Sequence, residues 1–466
     1  MQWGLPLAEV AKLGERLVEF YRRFGQYFRT KTRDTSEYGL KYISGLLRME
    51  TDRNLANIGR KTGVAGQNLQ QFVSDSSWSE EAVVLAVENE IKVHPAFQEA
   101  VLVLDESAEE KAGEHSAGAA RQHNGRLGKV EMSQVGVFLA LVTPEVCTWI
   151  DGELYLPQAW FEDSHAEQRK KTGVPEELRF QTKPELGWQL IQRARERHIP
   201  FQAVVMDDLY GRNEALRQHL NEAGIEYYGD VPANTQVYLE KPQIVHPLTK
   251  RGKPSKTVQI VGTAHEVRAL RQNAGLQWQT LRLRANERGY LEAKFARLRV
   301  WIAYGEELRQ EWLLFRQDAA QITYVLSNAP ETIDLTTMAW RKTHRYLMER
   351  SNEDAKDEFG WDEFQARKYR AWKHQLALTI LASWFVAETR LDWQQRFKPS
   401  PELLAQYEVD ALPKLSVANV RELLRASMPL PQLSPDQAAQ LVVSHLVNRT
   451  RSRKSRLRHR QNRTSV

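Results

Sequence analysis

The chain has 466 residues, too many for one ordinary core, so two to four structural units are expected. With 42% hydrophobic and 27% charged residues and a net charge of +6, it is composed like a globular protein; no apolar run is long enough to span a bilayer, and the N-terminus lacks the order of a secretory signal. A lone cysteine, Cys147, excludes an internal disulfide and a multi-thiolate zinc site, fits a reducing cytoplasm, and reads as a small strand-buried thiol rather than a nucleophile.

Residues 1–95 read as helical. Glu15 to Phe28 carries apolar and aromatic residues at helical spacing. From Asn54 to Phe72 the pattern is a helix, a turn containing Gly63, and a second helix with Leu69 and Phe72 facing inward: a helix-turn-helix-like unit. The second helix offers Gln67, Asn68 and Gln70, whose amides can read base edges. Short helix pairs with a glycine turn also occur as plain packing units.

Residues 96–232 alternate strand and helix, an α/β layout. Two apolar runs, Val101–Leu104 and Ala203–Met206, each end in an aspartate, Asp105 and Asp207. Such runs read as buried strands, and chemistry collects at the carboxyl ends of parallel strands. Carboxylates held side by side there repel unless a cation sits between them. Asp208 is a rival to Asp207, whereas Glu106, adjacent to Asp105 in a strand, points to the opposite face. Strands at 134–142 and 147–156 and helices at 184–197 and 214–223 complete this part.

Residues 233–317 change character. A basic loop, Lys250–Lys256, separates short β-like pieces at 257–261 and 298–303, and the α/β pattern resumes at Ile322–Ser327, so this stretch reads as a β-rich insertion. Residues 318–395 hold a charged helix, Arg345 to Lys356, and an apolar run at 376–387 of core-helix length. Arg345, Glu349 and Lys356 fall on one face of their helix. Glu349 could complete an oxygen cage with Asp105 and Asp207. Such a cage suits Mg²⁺, as a pair of ions with Mn²⁺ as a substitute, the usual engine of phosphodiester chemistry. Read from its residues alone, the same helix is equally a surface helix laced with ion pairs. Residues 396–466 are Pro-punctuated helices ending in a dense basic tail, in which Arg451, Arg453, Lys454 and Arg456 would meet a polyanion, nucleic acid first.

Taken in order, these residues resemble the bacterial insertion-sequence DDE transposases with a ribonuclease H-like core, in the branch marked by a Tyr-Arg-Glu-Lys signature and most closely the insertion sequence 701 family. Arg345, Glu349 and Lys356 match the last three signature positions in spacing; Lys342 stands at the tyrosine position, and Asn352 stands where an aromatic is usual. Asp207-Asp208-Leu209-Tyr210-Gly211 resembles the second-aspartate motif Asp-x-x-Tyr-Gly. The stretches His115–Gln122, Gly128–Val130 and Gln134–Val137 resemble the region after the first aspartate, where Asp105-Glu106-Ser107 replaces the usual Asp-Asp-Thr. The C-terminal His445–Arg453 resembles the family's end, so the likeness covers nearly the whole chain.

The resemblance implies an α/β, ribonuclease H-like core (96–232 and 318–395) interrupted by the insertion at 233–317, with a helical DNA-binding region at 1–95 and a basic DNA-binding tail within 396–466. It implies Asp105, Asp207 and Glu349 as catalytic metal ligands, with Arg345, Lys356, Arg121 and Lys129 meeting DNA. The expected partners are double-stranded DNA, as terminal inverted repeats and target, and a second copy of the chain; the expected location is the bacterial cytoplasm, at the nucleoid. The implied reaction is hydrolysis at each element end, freeing a 3′-hydroxyl that attacks target DNA. Trp278 and Trp301 are candidates for stacking on an extruded base or for the core, and His115 and His123 for phosphate contact or loop capping. A transposase-derived DNA-binding protein without catalysis and a junction resolvase-like nuclease are the competing readings.

Overall fold

The computed structural model describes residues 5–464, apart from 126, 248–257, 287–288, 319–320, 399, 407, 409–413 and 432–433. The basic loop Lys250–Lys256 therefore lies outside the described residues. Four strands open the α/β part: β1 (Val101–Glu110), β2 (Ala120–Asn124), β3 (Lys129–Val142) and β4 (Cys147–Tyr155). They pair antiparallel, β1 with β3 and β3 with both β2 and β4. Two short strands, β5 (Val204–Met206) and β6 (Tyr227–Val231), then run parallel to β1 on its other side. The central order is thus β4-β3-β1-β5-β6, with β1 in the middle.

The first four residues of β1, Val101–Leu104, are apolar on both faces because both are covered. Helix Lys183–Glu196 lies on one; a Cβ on its Gly187 would come within 2.5 Å of Leu104, so the glycine lets helix and strand meet closely. On the other face lies helix Arg345–Asp357, which packs on β1, β3 and β4. The 376–387 apolar run is the centre of a buried helix, Tyr369–Arg396, packed on β4 and on helix Glu80–Val93. No helix among the described residues is long and apolar enough to cross a membrane.

The stretch 233–317 is β-rich, and most of its strands join the same sheet. β7 (Gln236–Tyr238), β10 (Ala264–Glu266), β11 (Gln279–Asn286), β12 (Gly289–Tyr304) and β13 (Glu307–Asp318) extend it outward, and β14 (Gln321–Ser327) closes back antiparallel onto β6. β8 (Gln243–Val245) and β9 (Gln259–Val261) form a separate antiparallel pair. Among the described residues the main sheet has twelve strands.

The N-terminal region is helical, as its periodicity predicts. Helices Leu55–Thr62 and Gly66–Ser74 are joined by a turn in which Gly63, at φ +76°, takes the left-handed conformation. Asn54 caps the first helix by accepting from the Asn57 N–H at 3.0 Å. This pair is tied to the core by His374, whose ring stacks on Trp78 at 3.7 Å and whose nitrogens lie 2.9 and 3.2 Å from the carbonyl oxygens of Val73 and Trp78.

Candidate active site

The strand registers bring the two sequence-predicted aspartates together. Leu104 pairs with Met206 across β1 and β5, so Asp105 and Asp207 come next, side by side. Met206 pairs with Gly229 across β5 and β6, which adds Asp230 to the row. Three aspartates thus stand in a row across three parallel neighbours, Asp105 midway along β1, Asp207 just past the end of β5 and Asp230 near the end of β6, with Arg345 of the helix Arg345–Asp357 beside all three.

Local sequence fixes each one. Asp207 caps the short helix Asp208–Gly211, its Oδ1 accepting from the N–H groups of Leu209 (2.9 Å) and Tyr210 (3.3 Å). The next residue, Asp208, turns away to pair with Arg212. Tyr210 is fully buried, and Gly211 lies against the backbone of β6, where a Cβ would stand 2.1 Å from the Asp230 carbonyl oxygen. The Asp-x-x-Tyr-Gly spacing is therefore a cap, an anchor and a close backbone approach. Gly211→Ala must push the second aspartate's turn off β6; we expect a loss of about 1–3 kcal/mol in a urea unfolding series.

On the crossing helix, residues 345, 349, 352 and 356 form one stripe. Arg345 Nη1 lies 3.3 Å from Glu349 Oε1, and the Glu349 carboxylate is half-exposed at the rim. Asn352 reaches inward, its Nδ2 donating to Asp105 Oδ2 at 3.2 Å while its Oδ1 accepts from Trp149 Nε1 at 3.0 Å. Lys356 is largely but not fully covered and lies 3.4 Å from Glu109 of β1. Alternation along β1 places Asp105 and Glu109 toward this helix and Glu106 toward the opposite one, where it pairs with Lys183 at 2.9 Å. One helix earlier, Lys342 is buried and holds Asp230 at 2.9 Å.

Burial, and then the neighbouring Asp207, push the Asp105 carboxyl up to about 7. Asp207 is raised as well, by burial and then by Glu106. Burial works against the Arg345 charge, but Asp105, Asp230, Asp207 and Glu349 outweigh it and hold the guanidinium above its usual range. Arg345 Nε and Asp230 Oδ1 are buried without a hydrogen-bond partner among the described residues. Among those residues, no three His, Cys, Asp or Glu side chains stand close enough to hold a metal ion. The aspartate pair is assembled, while Glu349 is engaged by Arg345.

The donor set fits a hard divalent cation: a buried and a partly buried carboxylate whose burial and repulsion Arg345 offsets only in part, and a half-exposed third on the adjoining helix. A cation at this pair must displace the proton that Asp105 takes up below about pH 7. Mn²⁺ is therefore expected to raise the unfolding temperature more at pH 8 than at pH 5, as calorimetry would record.

The other predicted residues lie elsewhere. Gln67, Asn68 and Gln70 are exposed on helix Gly66–Ser74. Arg121 is exposed on β2, and Lys129, at the start of β3, pairs with Glu131 at 3.0 Å. Arg451, Arg453 and Lys454 are exposed on the long helix Pro435–Thr464; the side chain of Arg456 lies outside the described residues. His115 and His123 are exposed. Trp278 packs on the core beside Phe315, and Trp301 lies under Lys241 Nζ at 5.2 Å. Cys147 is enclosed, and burial pushes its thiol up to about 12, as expected of an inert sulfur.

Asp230, Trp149 and Glu109 are not singled out by the sequence, and Lys342 and Asn352 stand out there only as departures from the signature. The period-2 pattern from Asp105 could have placed Glu109 on the site face. No comparable pattern marks β6, whose five mixed residues carry Asp230.

A family model described as a DDE superfamily endonuclease matches residues 19–290. That span includes Asp105, Asp207 and Asp230 and ends before Glu349. The chain is also 25% identical over 232 residues to a protein of Microchaete diplosiphon described as a probable transposase for insertion sequence element IS701. This match takes in 48% of the chain and 56% of the relative, so the chain spans about half the length of that protein.

Proposed function

We propose, from the premise that this chain belongs to the DDE superfamily of endonucleases, that it is an insertion-sequence transposase that cuts DNA at element ends and joins them to target DNA. The observation that carries this reading is the pair Asp105 and Asp207 on parallel neighbours beneath the helix that holds Glu349. The order β4-β3-β1-β5-β6, three antiparallel strands followed by two parallel ones, suits a ribonuclease H-like core, and the likeness to a probable transposase supports the biological role.

In this reading Asp105, Asp207 and Glu349 hold divalent cations, Mg²⁺ or Mn²⁺. When bound, these supply charge to activate an attacking oxygen and to stabilise the departing one. The chain's own residues do the rest. The Arg345 side chain is partly exposed, and turning its guanidinium Nη1 to a phosphate would release Glu349 to the aspartate pair. A water oxygen bonds to phosphorus as the bond to the 3′-oxygen breaks, leaving a 3′-hydroxyl. That hydroxyl then attacks a target phosphodiester in the same manner, and no covalent bond to the protein forms. The amides of helix Gly66–Ser74 suit base edges, and the basic helix Pro435–Thr464 suits a DNA backbone. Action as a homodimer on two ends, in the bacterial cytoplasm, belongs to the same proposal.

A second reading has one observation in its favour: Glu349 is paired with Arg345 rather than gathered with the aspartates. In it the protein binds DNA without cutting. One experiment separates the two. Labelled DNA carrying the element's own ends is incubated with the parent protein and with Glu349→Ala, with and without Mg²⁺. Metal-dependent joined product that the variant loses supports the transposase. End binding with no metal-dependent product, with a bacterial cell extract supplied as a source of host factors, supports the non-cutting reading.

A further inference from the structure

Asn352 occupies a position where the resemblance anticipates an aromatic ring, yet it touches the site more directly than Glu349 does. Its Nδ2 donates to Asp105 Oδ2 at 3.2 Å. An amide can be placed either way round, and here a neighbour decides: Trp149 Nε1 can only donate, and it lies 3.0 Å from Asn352 Oδ1. The amide nitrogen must then face the carboxylate.

Trp149 is itself immobilised. It is almost fully buried, stacks on Phe138 at 4.2 Å and meets Trp361 edge-on at 5.4 Å. Phe138 is the register partner of Asp105 across β1 and β3. The aromatic stack and the carboxylate are thus built on the same pair of strands, and Asn352 joins them from the helix above.

The consequence falls on the Asp105 carboxylate. Its Oδ1 accepts from the Glu106 N–H at 2.9 Å, and its Oδ2 accepts from Asn352. Each oxygen keeps a lone pair, while the plane of the group is fixed by two donors on opposite sides. A phenylalanine ring at 352 would supply neither an N–H for Asp105 nor an acceptor for Trp149. The departure from the signature is matched by a second polar group in the right place, the indole N–H of β4.

We propose that Asn352, oriented by Trp149, is a positioning residue that holds the Asp105 carboxylate in the plane required to bind a divalent cation. This rests on the nuclease reading above, because it takes Asp105 as a metal ligand. Partners of metal-binding groups in other proteins typically change metal affinity by about 10- to 100-fold when removed.

The test is a calorimetric titration of the full chain with Mn²⁺, without DNA, at one fixed pH. Parent protein, Asn352→Leu, Trp149→Phe, the double variant and Asp207→Ala are compared, each with its unfolding temperature. Asn352→Leu keeps the side chain's size and removes its polar atoms; it is expected to weaken Mn²⁺ binding by about tenfold or more. Trp149→Phe keeps a ring for the stack and removes the N–H; it is expected to weaken binding in the same direction. The decisive result is the double variant, which should bind as weakly as Asn352→Leu and no weaker, since both changes cut one chain of contacts. Parent-like affinity in Asn352→Leu, or losses that multiply in the double variant, overturn the assignment. Should the leucine variant fail to fold, Asn352→Ser, which is smaller and cannot span to Asp105, carries the same expectation. If the parent binds no Mn²⁺ that Asp207→Ala removes, the nuclease reading itself falls and this assignment falls with it.

Discussion

At pH 8, Asp207→Asn is expected to unfold at a higher temperature than the parent protein when metal is absent and, with Mg²⁺ supplied, to cut DNA more slowly by on the order of 10⁴-fold. The two effects have one cause. Asparagine is as good a helix cap as aspartate, so acceptance from the Leu209 and Tyr210 N–H groups survives. What disappears is one negative charge beside Asp105. The folded-state carboxyl of Asp105 lies near 7, above its ordinary value, so its ionisation costs stability. That cost is absent below about pH 4, grows through the interval up to 7, and is complete above it. Removing Asp207 lowers the Asp105 carboxyl and relieves part of the cost, by about 1 kcal/mol for each pK unit recovered. The stabilisation should therefore be present at pH 8 and missing at pH 4. Thermal unfolding at both values, beside cleavage of a labelled end, checks both halves; equal or lower stability at pH 8 would show that the aspartates do not repel.

Lys342→Met is expected to destabilise the protein by about 3 kcal/mol, measured by denaturant unfolding at neutral pH. Lys342 is almost wholly buried, and its ammonium holds Asp230 at 2.9 Å. Methionine matches the stem and leaves Asp230 with Arg345 as its nearest compensation. The loss falls at the lower end of what a broken buried pair costs, because Asp230 keeps some access to water and shares that guanidinium. Changing Asp230 as well, to asparagine, should return much of it. A single change with no effect would mean that Lys342 is not needed to hold the helix against β6.

The parts of the site that were legible in the sequence are those carried by local pattern. Asp105 and Asp207 each close an apolar run, and the charged helix with Arg345, Glu349 and Lys356 has regular spacing. What escaped reading depends on contacts across the fold. β6 is five residues, Tyr-Tyr-Gly-Asp-Val, too short and too mixed to stand out as a strand. Asp230 was hidden with it, and Lys342 then looked like a departure without a partner. Asn352 was unreadable for the same reason, since Trp149 and Asp105 lie 203 and 247 residues away in the chain. Lys356 reads as a cation free for phosphate until Glu109, five residues past the end of the 101–104 run, is seen opposite it. The character of 233–317 was legible as β-rich; that β12 and β13 prolong the main sheet was not, because strand alternation does not say which edge a strand joins.

That continuity bears on how the chain can be shortened. β13 pairs with β14 at seven positions, and β14 pairs in turn with β6 beside the aspartate row. Cutting out 233–317 would strip one side of β14 and leave Tyr324, Val325 and Leu326 on a raw strand edge. Bare edges recruit strands from other molecules. A minimal nuclease made by excising this stretch should thus be lost to aggregation even with every acidic residue in place: the long hairpin acts as the sheet's hem, and a trimmed enzyme would need a substitute border, charged or prolyl, to stay in solution.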